Sequence, residues 1–451
     1  MSNVRDFGAK GDGRTDDTAA ISHAVQQGDG ELVFPRGDYL ISRPIHLSLA
    51  AHGRLHVRGS GGAARLIMAG PGPALHLVGT HLKTAFPSDF TEEVWVKERM
   101  PTVFGLEILG RHPEADGIRV EGAMQPSFHA VLIRRCRQGI HLTNRARNVL
   151  ISDCHIYDLS GIGVYLDRVN LHQVNISGNH ISYCRRGGIV VVGSEIRNIQ
   201  ICGNDIEYNF EEATDRCADV FFDGTEGSIR EGTIVGNTIQ AKESPRGANV
   251  RFLCVGKNQP NAVGMLTITG NLIGSQETAI DLRGCRGVVI SGNCLYSGYR
   301  QALVAEDSEH LVIAGNSIDH NPDYRGPSTD RIVFRRCRHV SLTGLVLQHT
   351  KPAATDVPSS IEVHACEDIN ITGCQLVRAR TRGIDVEASS LVRIADCTIR
   401  GPENDPNYLL AVRIGPGSSR VMVVNNFLGK GKEGELVLQA DAGIAAGNVT
   451  I

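Results

Sequence analysis

Three kinds of feature are scarce in this chain, and each scarcity excludes a class of protein. Aromatic residues make up 5% of the 451 residues and tryptophan occurs once, so a core built on bulky aromatic rings is not expected. Lys and Arg together number 46 against 49 Asp and Glu, a formal net charge of −3, whereas nucleic-acid binders usually carry a basic excess. No apolar run approaches the roughly 18 residues of a membrane helix. We therefore expect neither a nucleic acid nor a membrane as partner.

A leader segment is also lacking in the sequence as given. Met1-Ser2-Asn3 run directly into a structured motif, without the apolar stretch of a signal peptide. This predicts a cytoplasmic location. A chain whose leader had been removed would look the same and would be periplasmic or extracellular.

Cysteine is plentiful, but no Cys-x-x-Cys pair is present among the twelve cysteines, which argues against a zinc site. Cys285, Cys337 and Cys366 each close an apolar run, and Cys154, Cys374 and Cys397 share another fixed position in a repeated phrase. Residues at one register of a repeat stack on one another in a solenoid. We therefore predict reduced, buried cysteines that act as small apolar side chains.

The repeated phrase is the strongest signal in the chain, which contains 51 glycines. It consists of alternating apolar residues, Gly-Asn, one further residue and an aliphatic, as in VNISGNHIS, IQICGNDIE and LTITGNLI. The shortest spacings between copies are 22 and 23 residues, and others reach 33 and 34. Such a period with variable insertions is typical of a solenoid whose coils tolerate loops. Its glycines are Gly178, Gly203, Gly236, Gly270, Gly292 and Gly315.

The alternation within each phrase predicts β-strands, and long helical patterns are missing. We expect the Asn to adopt a left-handed backbone and to form a ladder with its neighbours, while the preceding Gly permits the tight bend. The aliphatic after Asn should point inward, which leaves the residues on either side of it on the outer surface. The sequence therefore predicts an all-β fold, a parallel β-helix.

The N-terminal stretch carries a resemblance to a known superfamily. Residues 3–21 read NVRDFGAKGDGRTDDTAAI, ELVFPRGDYLI follows at 31–41, and Thr15-Asp16-Asp17 is a good helix start. This opening resembles that of the pectate-lyase-3 type β-helix proteins, a superfamily of polysaccharide lyases, glycoside hydrolases and phage tailspikes. The resemblance implies a single right-handed parallel β-helix domain over 1–451, with a capping helix and strand at 1–41 and coils from about 42 onward. It also implies a homo-oligomer, with a trimer favoured.

Stacking the coils in register predicts two columns of outward side chains. Neighbouring strands lie about 4.8 Å apart, and residues i and i+2 of one strand have α-carbons about 6.5–7 Å apart. Asp205 and Glu207 would therefore stand as two carboxylates at a spacing that suits acid and base across a glycosidic bond. The histidines beside them could tune or carry a proton. The columns are His155, His180, Asp205, Thr238 and, two residues on, Tyr157, Ser182, Glu207, Gln240.

Long loops near 208–218 and 241–262 interrupt the same coils, and long loops over a rigid face often build a binding cleft. The first loop is rich in acids (Glu211, Glu212, Asp215, Asp219, with Asp223 after it), but it lacks the regular Asp spacing of a calcium loop. We therefore expect no cofactor, with Ca²⁺ as the weaker alternative. Arg185 and Arg186 are candidate substrate-gripping cations. The remaining candidate binding residues are Tyr183, Tyr208, Asn209, Gln240, Arg251 and Asp153.

Three functional classes follow from these patterns, each with a polysaccharide or oligosaccharide as partner. The first is a glycoside hydrolase or transglycosylase that uses Asp205 and Glu207, with His155, His180 and Tyr157 as proton-transfer or positioning partners. The second is a lyase or epimerase acting on uronates, which needs a cation and a base. The third is a non-catalytic glycan-binding or structural β-helix. Residues 127–154 also resemble inulin fructotransferases, in which Asp153 matches one conserved acid, although no second carboxylate stands near Val164 or Tyr165.

Overall fold

The computed structural model describes residues 1–83, 86–209, 216, 218–255, 262–324, 328–348 and 358–451. Strands dominate this part of the chain, and they pair in parallel. Two compact units can be distinguished, one of Met1–Glu211 with Arg216–Thr233 and the other of Glu212–Asp215 with Ile234–Ile451. A single domain over the whole chain stays a prediction.

The strands that begin in the first unit form two sheets, which we call the wide sheet and the narrow sheet. The wide sheet comprises Ser2–Asn3, Glu31–Phe34, Ile45–Ser48, His56–Gly59, Gly72–Val78, Thr102–Phe104, Ala115–Met124, Ser127–His129, Ile140–Ser152, Val164–Ser177, Ile189–Val192, Glu195–Cys202, Ala218–Asp223 and Ser228–Val235. The narrow sheet comprises Asp12–Asp16, Gly37–Ile41, Ala64–Met68, Glu107–Gly110, Leu132–Arg134, His155–Leu159, His180–Cys184 and Asp205–Glu207.

The second unit has the same organisation. Its longer strands are Ala248–Leu253, Val263–Thr269, Thr278–Arg283, Arg286–Ser291, Gln301–Glu306, Glu309–Ala314, Arg331–Arg335, Arg338–Thr343, Ile361–His364, Glu367–Thr372, Arg382–Glu387, Ser390–Ala395, Leu410–Ile414, Val421–Val424, Leu436–Leu438 and Gly443–Ala446. Its shorter strands are Thr238–Gln240, Leu272–Gly274, Cys294–Tyr296, Ser317–Asp319, Val346–Gln348, Gln375–Val377, Thr398–Ile399, Phe427–Leu428 and Val449–Thr450.

Among the residues that the structure describes, helix is confined to short segments of the first unit. The α-helix Thr18–Gln27 follows the predicted start directly, and it buries Ile21, Ala24 and Val25. The other helical segments are the 3₁₀ turns Val4–Phe7 and Pro87–Asp89, the α-helical turn Leu49–His52 and the π turn Val94–Glu98. In the described part of the chain, none of the helices has the length and apolarity to cross a membrane.

The Asn of the repeated phrase forms the predicted ladder, but its backbone differs from the expectation. In the first unit Oδ1 of Asn179 accepts from the N–H of Cys154 (2.9 Å), while its Nδ2 donates to Oδ1 of Asn204 (2.9 Å). The left-handed residue is the preceding glycine, with φ of 66° at Gly178 and 64° at Gly203. The prediction of a left-handed Asn was therefore wrong. A left-handed residue just before the Asn takes the bend and lets the Asn side chain turn into the core, and glycine, which lacks a Cβ, adopts that backbone most easily.

The second unit repeats this arrangement over more coils. Asn237, Asn271, Asn293 and Asn316 are each about 2% exposed, and the side chain of each donates to or accepts from the next at 2.9 Å. A buried amide is stable only when its hydrogen bonds are made. The ladder therefore fixes the register of successive coils.

The cysteines behave largely as predicted. All eleven described cysteines are free of disulfides, and nine of them are buried. They stack, and the sulfur also accepts hydrogen bonds: the N–H of Cys337 donates to Sγ of Cys366 (3.3 Å), and that of Cys374 to Sγ of Cys397 (3.4 Å). Other coils supply a hydroxyl instead, as where the N–H of Cys285 donates to Oγ of Ser308 (3.0 Å).

Candidate functional site

The predicted columns exist on the narrow sheet of the first unit. His155 pairs with His180, and His180 with Asp205; two residues along, Ser182 pairs with Glu207. The residues between the columns, Ile156, Ile181 and Ile206, are completely buried. Because the aliphatic points inward, its two neighbours on each strand are forced to the outer surface. The register and the direction of these side chains are therefore confirmed.

A chain of contacts links the histidines to one carboxylate. The rings of His155 and His180 stack with centroids 5.2 Å apart. Nδ1 of His180 lies 3.4 Å from Oδ2 of Asp205. Oδ1 of Asp205 is shielded from solvent, and a side-chain hydrogen bond between Asp205 and Glu207 contributes to the raised pKa of Glu207. The arrangement can hold or pass a proton along the column.

Glu207 differs electrostatically from an ordinary surface glutamate. Burial raises the pKa of Glu207, and the neighbouring Asp205 carboxylate raises that pKa further. His180 has the opposite, smaller effect. A carboxyl that keeps its proton beside a second carboxylate is the arrangement expected of a general acid paired with a base or nucleophile.

We expect Asp205→Asn to lower the pKa of Glu207, because the substitution removes a negative charge from its surroundings. The pKa should stay above the ordinary value of a glutamate, since burial is the larger cause and persists. Titration of the Glu207 carboxyl carbon by NMR, in protein with labelled glutamate, measures this directly. An unchanged or increased pKa would contradict the assigned coupling.

Two tyrosines lie beside the acid pair along the chain. Tyr183 and Tyr208 stack with ring centroids 5.3 Å apart and an interplanar angle of 14°. Both have left-handed backbones, with φ of 54° and 56°, so each ring projects from a bend, and Tyr183 is 58% exposed. Flat aromatic surfaces of this kind can pack against the apolar face of a ligand.

Asp153 occupies a different position. It stands where the repeat has its glycine, with φ of 55°, and its Oδ2 lies 3.1 Å from Nδ1 of His129. The His129 ring stacks on Phe104 with centroids 5.3 Å apart. Asp153 therefore belongs to a bend on the surface, outside the two columns.

Three of the predicted binding residues lie away from the acid pair or inside the unit. Asn209 is 1% exposed, and Oδ1 accepts from the N–H of Cys184 (3.0 Å) while Nδ2 donates to the carbonyl of Ile181 (2.8 Å). Its buried amide supports the fold and offers no atom to a surface ligand. Arg185 is exposed and lines a separate pocket of about 330 Å³. Arg186 is exposed at a turn, where its N–H donates to the carbonyl of Gly161 (3.0 Å).

Gln240 and Arg251 belong to the second unit. Nε2 of Gln240 donates to Oη of Tyr324 at 2.7 Å. Arg251 is 2% exposed, and its Nε donates to Oδ2 of Asp281 at 2.8 Å. A guanidinium buried in this way needs its carboxylate partner. Arg251 therefore has a structural role that the sequence did not indicate.

The acidic loop is described only in part, because Glu211, Glu212 and Asp215 lie outside the described residues. Asp219 is fully buried, and its Oδ1 accepts from the N–H of Asn209 at 3.1 Å. Asp223 is also buried and pairs with Arg216 at 2.6 Å. Over the described residues, no group of three or more His, Cys, Asp or Glu is placed to hold a metal ion.

A second cluster, on the wide sheet, was not found from the sequence. Nε2 of His76 lies 2.7 Å from Oε1 of Glu121, and Nε2 of His141 lies 3.3 Å from Oδ2 of Asp167. Arg119 lies between the two histidines in register. Its Nε is buried and has no hydrogen-bond partner among the residues described. We call these five residues, together with Tyr165, the wide-sheet cluster.

The wide-sheet cluster is more enclosed than the acid pair. Burial lowers the pKa of His76 and of His141, and Arg119 contributes in the same direction. Burial, with the charge of Asp167, raises the pKa of Tyr165 to about 12. The rings of His141 and Tyr165 stack with centroids 4.9 Å apart. At neutral pH the cluster therefore presents neutral imidazoles, a protonated phenol and a guanidinium whose Nε has no hydrogen-bond partner among the described residues.

Comparisons with known proteins bear on the fold first. The chain matches the family model described as right handed beta helix region over residues 107–239 and 219–428. Residues 1–69 match a model described as rhamnogalacturonase A/epimerase, pectate lyase-like. The tailspike protein gp49 from Pseudomonas phage LKA1 has a TM-score of 0.51 at 15% identity, over 81% of this chain and 83% of that one, which is a likeness of fold alone.

Two curated relatives match over very different lengths. The uncharacterized protein YclG of Bacillus subtilis is 24% identical in an alignment of 385 residues that covers 70% of this chain and 62% of that protein. A probable glucan endo-1,3-beta-glucosidase of Arthroderma benhamiae is 45% identical in an alignment of 56 residues that covers 10% of this chain and 6% of that protein. This chain spans 4% to 6% of the length of the fungal proteins that it matches.

Proposed function

This chain belongs to the right-handed β-helix family, and from that premise we propose that it is a glycoside hydrolase whose acid pair is Glu207 and Asp205. Glu207 delivers a proton to the glycosidic oxygen, while Asp205 supports the developing positive charge or activates the attacking group. The observation that carries the proposal is the raised pKa of Glu207 next to the Asp205 carboxylate.

The surroundings of the acid pair support this role. His180 contacts Asp205 at 3.4 Å and can take part in proton transfer. The stacked rings of Tyr183 and Tyr208 lie at the ends of the two strands that carry His180 and Asp205, and they give a surface on which a sugar ring can pack. In this proposal Tyr157 and His155 complete the face as positioning residues.

The relatives favour a carbohydrate as the substrate class. The match to the rhamnogalacturonase A/epimerase model covers residues 1–69, and that to the probable glucanase covers 56 residues. The first match lies outside the acid pair and the second is short, so they support carbohydrate activity without specifying the bond. We propose a polysaccharide or oligosaccharide as ligand, and a homotrimer as the assembly, which sedimentation analysis tests.

The test is an assay of the full chain on neutral and uronate-bearing glycans, with two readouts. Hydrolysis produces new reducing ends without ultraviolet absorbance. Elimination produces reducing ends together with the absorbance of an unsaturated uronate. New reducing ends alone support the acid pair, whereas no product from any of the glycans would contradict the hydrolase proposal and favour the non-catalytic alternative.

A second candidate function is β-elimination on a uronate, and the wide-sheet cluster favours it. The guanidinium of Arg119 can neutralise the uronate carboxylate, and the neutral imidazole of His141 can take the proton from the adjacent carbon. As the carbon–oxygen bond breaks, the phenol of Tyr165 can protonate the leaving oxygen, which leaves a carbon–carbon double bond in the uronate. This candidate uses none of the residues of the acid pair.

For this candidate we expect Arg119→Leu to lower kcat/KM for elimination by about 10²-fold or more, because an unneutralised carboxylate disfavours loss of the adjacent proton. The formation of unsaturated product from a uronate polymer measures the effect. Arg58→Leu, at a cation on the same sheet that pairs with Glu31 at 3.3 Å, serves as the matched control. Equal elimination rates in both variants would exclude the cluster.

A further inference from the structure

An insertion leaves the wide sheet after the strand Gly72–Val78 and returns at Thr102–Phe104. Its two ends are joined by Glu98, which is fully buried and accepts from the N–H (2.7 Å) and from Oγ1 (2.6 Å) of Thr80. The insertion contacts the sheet again where Nε of Arg145 donates to the carbonyl of Leu82 at 2.7 Å. That contact holds it against the strand Ile140–Ser152, and the N–H groups of His81 and Met100, which donate to the carbonyls of Gly122 and Met124 (3.0 Å each), hold it against Ala115–Met124.

A pocket of about 400 Å³ lies between this insertion and the sheet. One wall is aromatic: Trp95 is 43% exposed, and the ring of Phe90 stacks on His81 with centroids 4.2 Å apart. The opposite wall is polar and contains a cation. The insertion contributes Phe90, Thr91, Glu92 and Trp95 to the lining of the pocket, and the sheet side contributes Met124, Gln125, Arg147 and Asn148.

The cation in this pocket is Arg147. Its guanidinium carbon lies 5.0 Å from the centroid of the Phe90 ring, and Nε donates to Oδ1 of Asn148 at 3.1 Å. Nη1 is shielded from solvent and has no hydrogen-bond partner within the described residues, and the same holds for Nη1 of Arg145. Burial lowers the pKa of Arg147. A half-buried guanidinium that has a shielded nitrogen and no carboxylate partner within the described residues favours an incoming anion.

We propose that this pocket binds a sugar ring that bears an anionic group, with the ring against Trp95 and the anion against Arg147. The volume lies within the range of about 300–1,000 Å³ that small-molecule sites occupy. Amide groups of Gln125 and Asn148 on the lining supply donors and acceptors for hydroxyl groups. The inference concerns binding, and it rests on neither the acid pair nor the wide-sheet cluster.

The location of the single tryptophan makes the test direct, because Trp95 is the only one in the chain and lines the pocket. Its fluorescence should change and saturate when the full-length protein is titrated with a galacturonate trisaccharide. Neutral galactotriose should bind at least about ten-fold more weakly, which corresponds to about 1.4 kcal/mol. Inorganic phosphate should produce no comparable saturating change.

Substitutions then separate the two walls of the pocket. Arg147→Leu should raise the Kd for the acidic trisaccharide by about ten-fold or more, whereas Arg58→Leu, on another coil, should leave it unchanged. Trp95→Ala, followed by calorimetry, should weaken binding of both sugars. Absence of any fluorescence change, equal affinity for the acidic and neutral sugars, saturation by phosphate, or unchanged binding in Arg147→Leu would each overturn the proposal. Hydrolysis by the acid pair is measured separately, so failure here leaves that assay unaffected.

Discussion

Glu207→Gln should reduce kcat for glycoside hydrolysis by about 10²–10⁴-fold, the usual contribution of a positioned general acid. The amide keeps the size and the hydrogen-bonding surface of the side chain but cannot deliver a proton to the glycosidic oxygen. Because the pKa of Glu207 is raised by burial and by Asp205, the wild-type acid stays protonated to higher pH than an ordinary glutamate. Activity should therefore persist to higher pH and decline as the pH rises through that pKa.

Reducing-end assays over a pH series measure both effects. The residual activity of Glu207→Gln should lack the alkaline decline, since no titrating acid remains. Glu231→Gln, at an exposed glutamate of the same unit, is the matched control and should retain wild-type rates. Full activity in Glu207→Gln, or an unchanged pH profile, would refute the assignment of Glu207 as the acid.

Asn179→Ala should lower the free energy of unfolding by at least about 2 kcal/mol, because two buried polar groups are left unpaired and each costs about 1–3 kcal/mol. The side chain of Asn179 accepts from the N–H of Cys154 and donates to the carbonyl of Ile151 (3.1 Å) and to Oδ1 of Asn204. All three partners are buried. Alanine leaves the N–H of Cys154 and the carbonyl of Ile151 without this partner and without a route to water, whereas Oδ1 of Asn204 still accepts from the backbone N–H of residue 179 (3.0 Å).

Urea unfolding followed by circular dichroism measures this loss as a lower midpoint. Asn175→Ala is the matched control, because Asn175 lies four residues earlier on the same coil and is half-buried on the outer surface. That change should stay within about 0.5 kcal/mol. If the two variants unfold at the same urea concentration, the ladder does not hold the coils together.

The fold was predictable because its signals are local and repeated. Period-two alternation places Ile156, Ile181 and Ile206 inward, and the constant phrase aligns His155 with His180 and Asp205. The same rule defines which residues share the outer face. The register of the acid pair therefore followed from spacing alone.

What the sequence did not reveal depends on bends and on burial. The residues of the wide-sheet cluster lie outside the Gly-Asn phrase, so alignment of the copies of that phrase did not place His76 and His141 beside each other. The one sign of it was polar residues alternating with apolar ones on those strands. Asn209 looked like a surface residue after Tyr208, but the left-handed backbone of Tyr208 turns the chain and buries the amide. The role of Arg147 could not be predicted, because it depends on where the insertion lies relative to the sheet.

The column that contains Cys285 bears on how such a chain can change its length. At this position one coil supplies a hydroxyl (Ser308) and another a thiol (Cys366), and each accepts from the equivalent backbone N–H of the preceding coil, that of Cys285 and that of Cys337. The amide of Asn316 does so at the neighbouring column, 23 residues from Asn293. One complete coil can therefore replace another, because successive coils present equivalent backbone donors and side-chain acceptors to their neighbours. Duplicating or deleting one in-frame coil at the gene level would preserve the ladder hydrogen bonds of these columns, and would change the length by one strand spacing of about 4.8 Å.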